Sequence, residues 1–250
     1  MTKKSPLQIE DHGSHVIATL NRPEKRNAID QDLIDALHEM CEKLETEPKT
    51  LILRGEGGTF AAGADIAQLR ERREADARAG INTKAFQRVN ALPMPVIAVI
   101  DGYALGGGAE LAYAADIRVG SGTLKIGNPE PGLGIIAAAG ASWRLPELVG
   151  EPLAAEMLLT GRVLNAEEAL QAGLITHLLE TPAEALDKAE EIAAQIDLLD
   201  PAACRATKRV LQAPRSAHPA IDLAEQAVLF ESPEKFRRMG EFLDRKKKNE

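Results

Sequence analysis

"DGYALGGGAELAYAADIRV", residues 101–119, sets three consecutive glycines ahead of one carboxylate, Glu110, in an otherwise almost wholly apolar run. A charge on an apolar surface is unfavourable unless it is paired, hydrogen-bonded or protonated. The run overlaps a buried-looking strand, "PVIAVIDGYA", passes through the glycines into a helix, "GGGAELAYAA", and leaves through two short strands, "DIRVG" and "TLKIG". Strands that alternate with helices in this way predict an α/β or layered fold.

The same grammar extends toward the N-terminus. "LQIEDHGSHVIATLNRP" reads as two short strands around a glycine turn and ends at Pro23. "IDQDLIDALHEMCEKLE" carries Leu33, Ala36, Leu37, Met40 and Leu44 at helical spacing, with Asp30 as N-cap. "TLILRG" is a buried strand, "ADIAQLRER" starts a helix, and "TKAFQRVNAL" is helical until Pro93 and Pro95. Residues 69–84, "LRERREADARAGINTK", form the most polar stretch and read as a mobile flank. Beyond about residue 140 the pattern is helical, with one short strand in "LITHLLE". No Gly/Ser-rich or charge-block linker divides the chain, so it reads as one domain with a helical tail.

Composition narrows the function classes. The net charge of -8, from 30 Lys and Arg against 38 Asp and Glu, disfavours a nucleic-acid groove as the main surface and requires local donors for any anionic ligand. Apolar runs are too short to span a bilayer, and "MTKKSPLQIE" has no apolar signal core, so the cytoplasm is the expected compartment. Cys41 and Cys204 are distant in sequence and read as small semi-buried residues rather than a disulfide. The five histidines form no H-E-x-x-H, and neither G-x-S-x-G nor a P-loop occurs, so metal and triad readings are poor. Gly132, Gly134 and Ala137 fit G-x-G-x-x-A, but "NPEP" stands where a dinucleotide fold needs a strand.

Two segments remain. "GGTFAAGADI", residues 57–66, and "GYALGGGAEL", residues 102–111, each follow a strand and enter a helix through small residues. The first amides of a helix have no partner within it, and Gly and Ala let another molecule approach them. Two such amides converging on one oxygen would make an oxyanion hole, although the glycines would equally serve tight strand–helix packing. Glu110 and Glu130, the latter in "GNPEPGLG", are the candidate acid–base pair, because two neighbouring buried carboxylates push their pKa values apart. The alternatives are a helix N-terminus interaction for Glu110 and a solvated turn for Glu130.

With these motifs in place the sequence resembles the crotonase superfamily, and most of all its enoyl-CoA hydratase members. The likeness runs through "IATLNRPEKRNAI", "LILRGEGGTFAAGADI", "PVIAVIDGYALGGGAELAYAADIRV", "IGNPEPGLG" and "LTGRVLNAEEALQAGLITHLL". It implies an α/β spiral of ββα repeats as a catalytic core over residues 1–195, and a helical extension over 196–250 that builds homotrimers or hexamers, in one continuous structural unit. It also implies hydration of a trans-2-enoyl-CoA to the 3-hydroxyacyl-CoA, with no metal and no cofactor beyond the coenzyme A of the substrate. The runner-up activity is Δ3–Δ2 isomerisation of an enoyl-CoA, for which one carboxylate could suffice. A third reading is an acyl-CoA- or RNA-binding module without turnover.

Carried onto this chain, the resemblance makes Ala64 and Gly107 the oxyanion amides, and Glu110 and Glu130 the carboxylates that hold a water between them. It lays coenzyme A along Ala62, Ala64, Asp65 and Ile66, with Lys25 and Arg26 near its phosphates and Phe242 and Arg245 reaching it from the tail of a subunit. Two departures stand out. Ala137, Ala138 and Ala141 replace residues common in hydratases after the second glutamate while Gly140 stays, and Ala67 replaces a lysine often found near the coenzyme A phosphates.

Overall fold

A computed structural model describes residues 5–249, with side chains for residues 5–246. The strands β1 (Leu7–Asp11), β2 (His15–Leu20) and β3 (Thr50–Gly55) open a six-stranded sheet, completed by β4 (Val96–Ile100), β6 (Ile117–Ser121) and β9 (His177–Leu179). Its order is β1-β2-β3-β4-β6-β9; the β1–β2 hairpin is antiparallel and every later pairing parallel. All five residues of β4 are buried, as a central parallel strand requires. The crossovers are helical. Helix α1 (Gln31–Thr46) buries Leu33, Ile34, Leu37, Met40, Cys41 and Leu44, and Asp30 caps it by accepting the Leu33 amide at 3.0 Å.

A second, three-stranded sheet consists of β5 (Tyr103–Leu105), β7 (Lys125–Gly127) and β8 (Val163–Asn165). The chain therefore steps twice from the large sheet to the small one, from β4 to β5 and from β6 to β7, before turning into a helix. Isolated bridges between Ile29 and Ala64 and between Ala61 and Ala104 extend the small layer across the preceding turns. This is the strand–strand–helix spiral expected from the sequence.

Three details differ from the sequence reading. "PVIAVIDGYA" is two strands in two sheets, because Gly102, at φ +59°, turns the chain where a side chain would collide with the Gly58 carbonyl. Strand β8 was not anticipated; it has three residues and only Leu164 is buried, too little for a periodic signal. The polar stretch 69–84, expected from its composition to be a mobile flank, is helical over most of its length. It contains the end of α2 (Ile66–Glu71), all of α3 (Glu74–Ala79) and the start of α4 (Ile81–Asn90).

Helices α5 (Gly107–Tyr113), α6 (Ala141–Val149), α7 (Glu151–Thr160), α8 (Ala166–Gln171) and α9 (Pro182–Asp197) follow in order. The chain divides into two compact units, Met1–Ala194 and Gln195–Glu250. The first holds both sheets. In the second, α10 (Pro201–Gln212), α11 (Ala220–Phe230) and α12 (Pro233–Asn249) succeed one another, with Arg209 donating to both carboxylate oxygens of Glu225. Among the described residues no helix is long and apolar enough to cross a membrane.

Candidate active site

The first glycine segment and the N-terminus of α5 meet in a cleft of ≈ 620 Å³ lined by Ala62, Ala64, Ile66, Gly107, Glu110 and Glu130 among others. Close approach explains the glycines. A Cβ at Gly108 would stand inside the van der Waals shell of the Ala61 carbonyl, so only glycine lets α5 start against this segment. The Gly63 carbonyl accepts the Ile29 amide at 2.8 Å and the Asp65 amide reaches the Ile29 carbonyl at 2.9 Å, which fixes Ala64 between them. Among the described residues neither the Ala64 amide nor the Gly107 amide donates to a protein acceptor. The two are neighbours: a Cβ built on Gly107 would lie 3.7 Å from the Ala64 nitrogen.

Both glutamates are buried beside these amides. Glu110, 4% exposed, projects from the first turn of α5, and its Oε1 accepts the amides of Ala139 at 2.7 Å and Ala141 at 3.1 Å. Burial pushes its carboxyl up to about 7, the neighbouring Glu130 adds to the rise, and the amides of residues 139–141 oppose it. The alanines at 137, 138 and 141 therefore leave the backbone support of Glu110 intact. Glu130 opens a short 3₁₀ turn, Glu130–Leu133, and is 7% exposed. Its Oε1 takes a long 3.4 Å bond from Asn128, while Oε2 is buried with no hydrogen-bond partner. Burial raises its carboxyl as well. Such an orphaned carboxylate oxygen needs a ligand, a water or a proton.

Four supporting residues carry no signal strong enough to single them out in the sequence. Asn128 is fully buried and receives the Tyr113 hydroxyl on Oδ1 at 3.0 Å, which aims its Nδ2 at Glu130 and the Gly106 carbonyl. Tyr113 lies three residues after Glu110 on α5, and Asn128 two before Glu130, so the i, i+3 spacing and the Asn in "GNPE" were the available signals. Elsewhere in the lining the Arg72 guanidinium donates to Asn82 Oδ1 at 3.1 Å.

The other expected binding residues divide. The backbone of Ala62, Ala64 and Ile66 borders the cleft, but the Ala62 amide is engaged by the Arg26 carbonyl at 3.0 Å. Asp65 does not line the cleft; its carboxylate caps α2 by accepting the amides of Ala67 and Gln68. Lys25 and Arg26 are exposed on a short turn, one backbone hydrogen bond from Ala62. Phe242 and Arg245 belong to the second unit on α12, Phe242 exposed and Arg245 3.8 Å from Glu241. Both cysteines are free, and burial pushes the Cys41 thiol up to about 12. Among the described residues no three His, Cys, Asp or Glu side chains gather as a metal site.

Comparison with known proteins agrees with this geometry. Residues 11–249 match the family described as enoyl-CoA hydratase/isomerase. The chain is 37% identical over 208 residues to a short-chain-enoyl-CoA hydratase of Clostridium acetobutylicum, covering 81% of this chain and 79% of that protein. It is 36% identical over 193 residues to a crotonyl-CoA hydratase of Syntrophomonas wolfei, covering 75% and 74% of the two chains. The crystal structure of an enoyl-CoA hydratase from Bacillus anthracis superposes with a TM-score of 0.90 at 29% identity, covering 96% of each chain. A peptide scaffold that fixes two idle amides beside two buried glutamates, together with a match over nearly its whole length, places this chain in the enoyl-CoA hydratase/isomerase family.

Proposed function

We propose that the protein adds water across the 2,3 double bond of a trans-2-enoyl-CoA to give the 3-hydroxyacyl-CoA. The observation that carries this reading is the corner where the unengaged amides of Ala64 and Gly107 adjoin the buried carboxyls of Glu110 and Glu130. The amides receive the thioester oxygen and hold the negative charge that develops there as the enolate forms, a term worth about 3–4 kcal/mol per donor in comparable sites. A water held between the carboxyls forms the C3–O bond and gives up a proton to the ionised member of the pair. C2 receives a proton from the protonated member. The proton count balances, and the pair is regenerated with its roles exchanged until one proton returns. The two carboxyls titrate as a unit, so no single pKa belongs to either role.

Isomerisation of a 3-enoyl-CoA is the second reading, favoured by one asymmetry. Glu110 Oε1 is tied to two backbone amides, whereas the Glu130 carboxyl has one long hydrogen bond and is the freer of the two to carry a proton from C2 to C4. Incubation with crotonyl-CoA separates the two: loss of the enoyl absorbance supports hydration, and no loss with turnover of a 3-enoyl-CoA supports isomerisation.

Coenzyme A would run from the cleft along residues 62–66 toward Lys25 and Arg26. The second unit exposes Leu198, Leu211, Val228, Phe230 and Phe236, which further copies of the chain would cover in a homotrimer or a hexamer in the cytoplasm. In that assembly Phe242 and Arg245 would reach coenzyme A.

A further inference from the structure

Arg72 differs from most arginines of this protein. Arg88, Arg144, Arg162 and Arg209 each pair with a carboxylate on the surface. Arg72 is half-buried in the wall of the cleft, its one described hydrogen bond goes to the neutral Asn82, and among the described residues no carboxylate lies within 4.0 Å of it. The cleft lining holds Ile66, Leu69, Ile81 and Ile135 as well as two carboxylates that are engaged elsewhere, Glu74 with Arg78 and Asp76 with the Arg73 amide. A half-buried guanidinium without a paired counter-charge is unfavourable, and its planar fork matches a carboxylate through two parallel hydrogen bonds.

The position of the group limits which anion can meet it. Arg72 can only donate, so its bond to Asn82 Oδ1 turns Asn82 Nδ2 the other way, and Nδ2 lies 3.6 Å from where a Gly107 Cβ would stand. Across Asn82, then, the guanidinium is at most about 9 Å from where that Cβ would stand, beside the amide corner that would hold the thioester oxygen. A five-carbon acyl chain with a terminal carboxylate spans about 5 Å, and a hydrogen bond adds about 3 Å. The coenzyme A phosphates are separated from the sulfur by the whole pantetheine arm, which is far longer. We propose that Arg72, oriented by Asn82, forms a subsite for the distal carboxylate of a short dicarboxylic enoyl thioester, and so makes this a hydratase that prefers carboxylated acyl groups.

The proposal rests on the enoyl-CoA hydratase reading, and its test keeps the two separable. The specificity constants for glutaconyl-CoA and crotonyl-CoA, which share the same coenzyme A and differ in one carboxylate, are measured for the wild type and for Arg72→Gln, Arg72→Lys and Asn82→Ala. The expected wild-type ratio favours glutaconyl-CoA. Arg72→Gln should lower that ratio about tenfold to a hundredfold, Arg72→Lys less, and Asn82→Ala by several-fold as an effect on orientation. A wild-type preference for crotonyl-CoA, or an Arg72→Gln effect that lowers both constants together and leaves their ratio within about twofold, overturns the subsite. The second result would mean that Arg72 is structural or holds a phosphate. If neither thioester is hydrated, the hydratase reading fails. Calorimetric binding of glutaryl-CoA against butyryl-CoA then decides the subsite by the same ratio.

Discussion

Two charges lie at similar depth in this molecule and are treated in opposite ways. Arg118 on β6, 3% exposed, donates through Nε to the Leu174 carbonyl at 2.7 Å and through Nη1 to the Ala115 carbonyl at 2.6 Å. Burial lowers its pKa to about 10, but two of its nitrogens are engaged by carbonyls, and the bond to Leu174 ties β6 to the segment that leads into β9. Glu130, 7% exposed, has one long bond to Asn128 and one oxygen with none. Burying either ion costs free energy; Arg118 recovers it in local order, whereas Glu130, a residue that lines the cleft, keeps a buried oxygen without a partner. A buried charge thus points to function when its hydrogen bonding is incomplete and other unengaged groups face it.

The sharpest way to break that contrast is to neutralise each charge and ask what is lost. Glu130→Gln should reduce kcat for crotonyl-CoA by about a thousandfold, roughly 4 kcal/mol of barrier, while thioester affinity by calorimetry stays within a few-fold. Retained turnover would show that the orphaned oxygen has no part in the chemistry. Arg118→Ala should instead lower stability by about 2–4 kcal/mol in urea unfolding, because two carbonyls are left unpaired around a cavity. A stable Arg118→Ala protein with impaired turnover would reverse the assignment.

A middle-sized effect probes the scaffold. Gly108→Ala should drive α5 away from Ala61 and spoil the convergence of the Ala64 and Gly107 amides, with about a hundredfold loss in kcat. If the loss appeared in KM alone, those amides would bind substrate without stabilising the transition state.

The smallest expected effect is on stability. The Glu110 carboxyl is raised from 4.5 to about 7 by burial, so the native state binds more protons than the unfolded chain across that window, and stability falls as pH rises through it. Glu110→Gln removes the ionisation and keeps an oxygen for the Ala139 and Ala141 amides. Relative to the wild type it should be more stable by about 1–3 kcal/mol at pH 8, with the gain vanishing near pH 4.5. Thermal unfolding at both pH values checks the sign.

Much of this was legible in the sequence for physical reasons that differ by element. The apolar stripe of α1 and the continuous apolar run of β4 announced themselves because core packing demands one periodicity over many residues. Glu110 stood out as a charge in an apolar run, and Glu130 as the lone charge in its loop. The break between β4 and β5 did not, since its cause is a collision between Gly102 and the carbonyl of Gly58, more than forty residues earlier. The polar composition of stretch 69–84 does not reveal a site wall; Arg72 and Asn82 line the cleft together with Gly107 of α5, which lies well over twenty residues away in the chain. Asn128 was missed because its role depends on Tyr113, on another element.

The central claim is that Glu110 and Glu130 act as one proton-handling unit on a thioester held by two amides. Hydration of crotonyl-CoA by Glu110→Gln, Glu130→Gln and the double variant tests it most directly. If the pair is a unit, each single substitution should cost nearly as much kcat as both together. Losses that multiply as independent factors, or a single variant with near-original turnover, would contradict it.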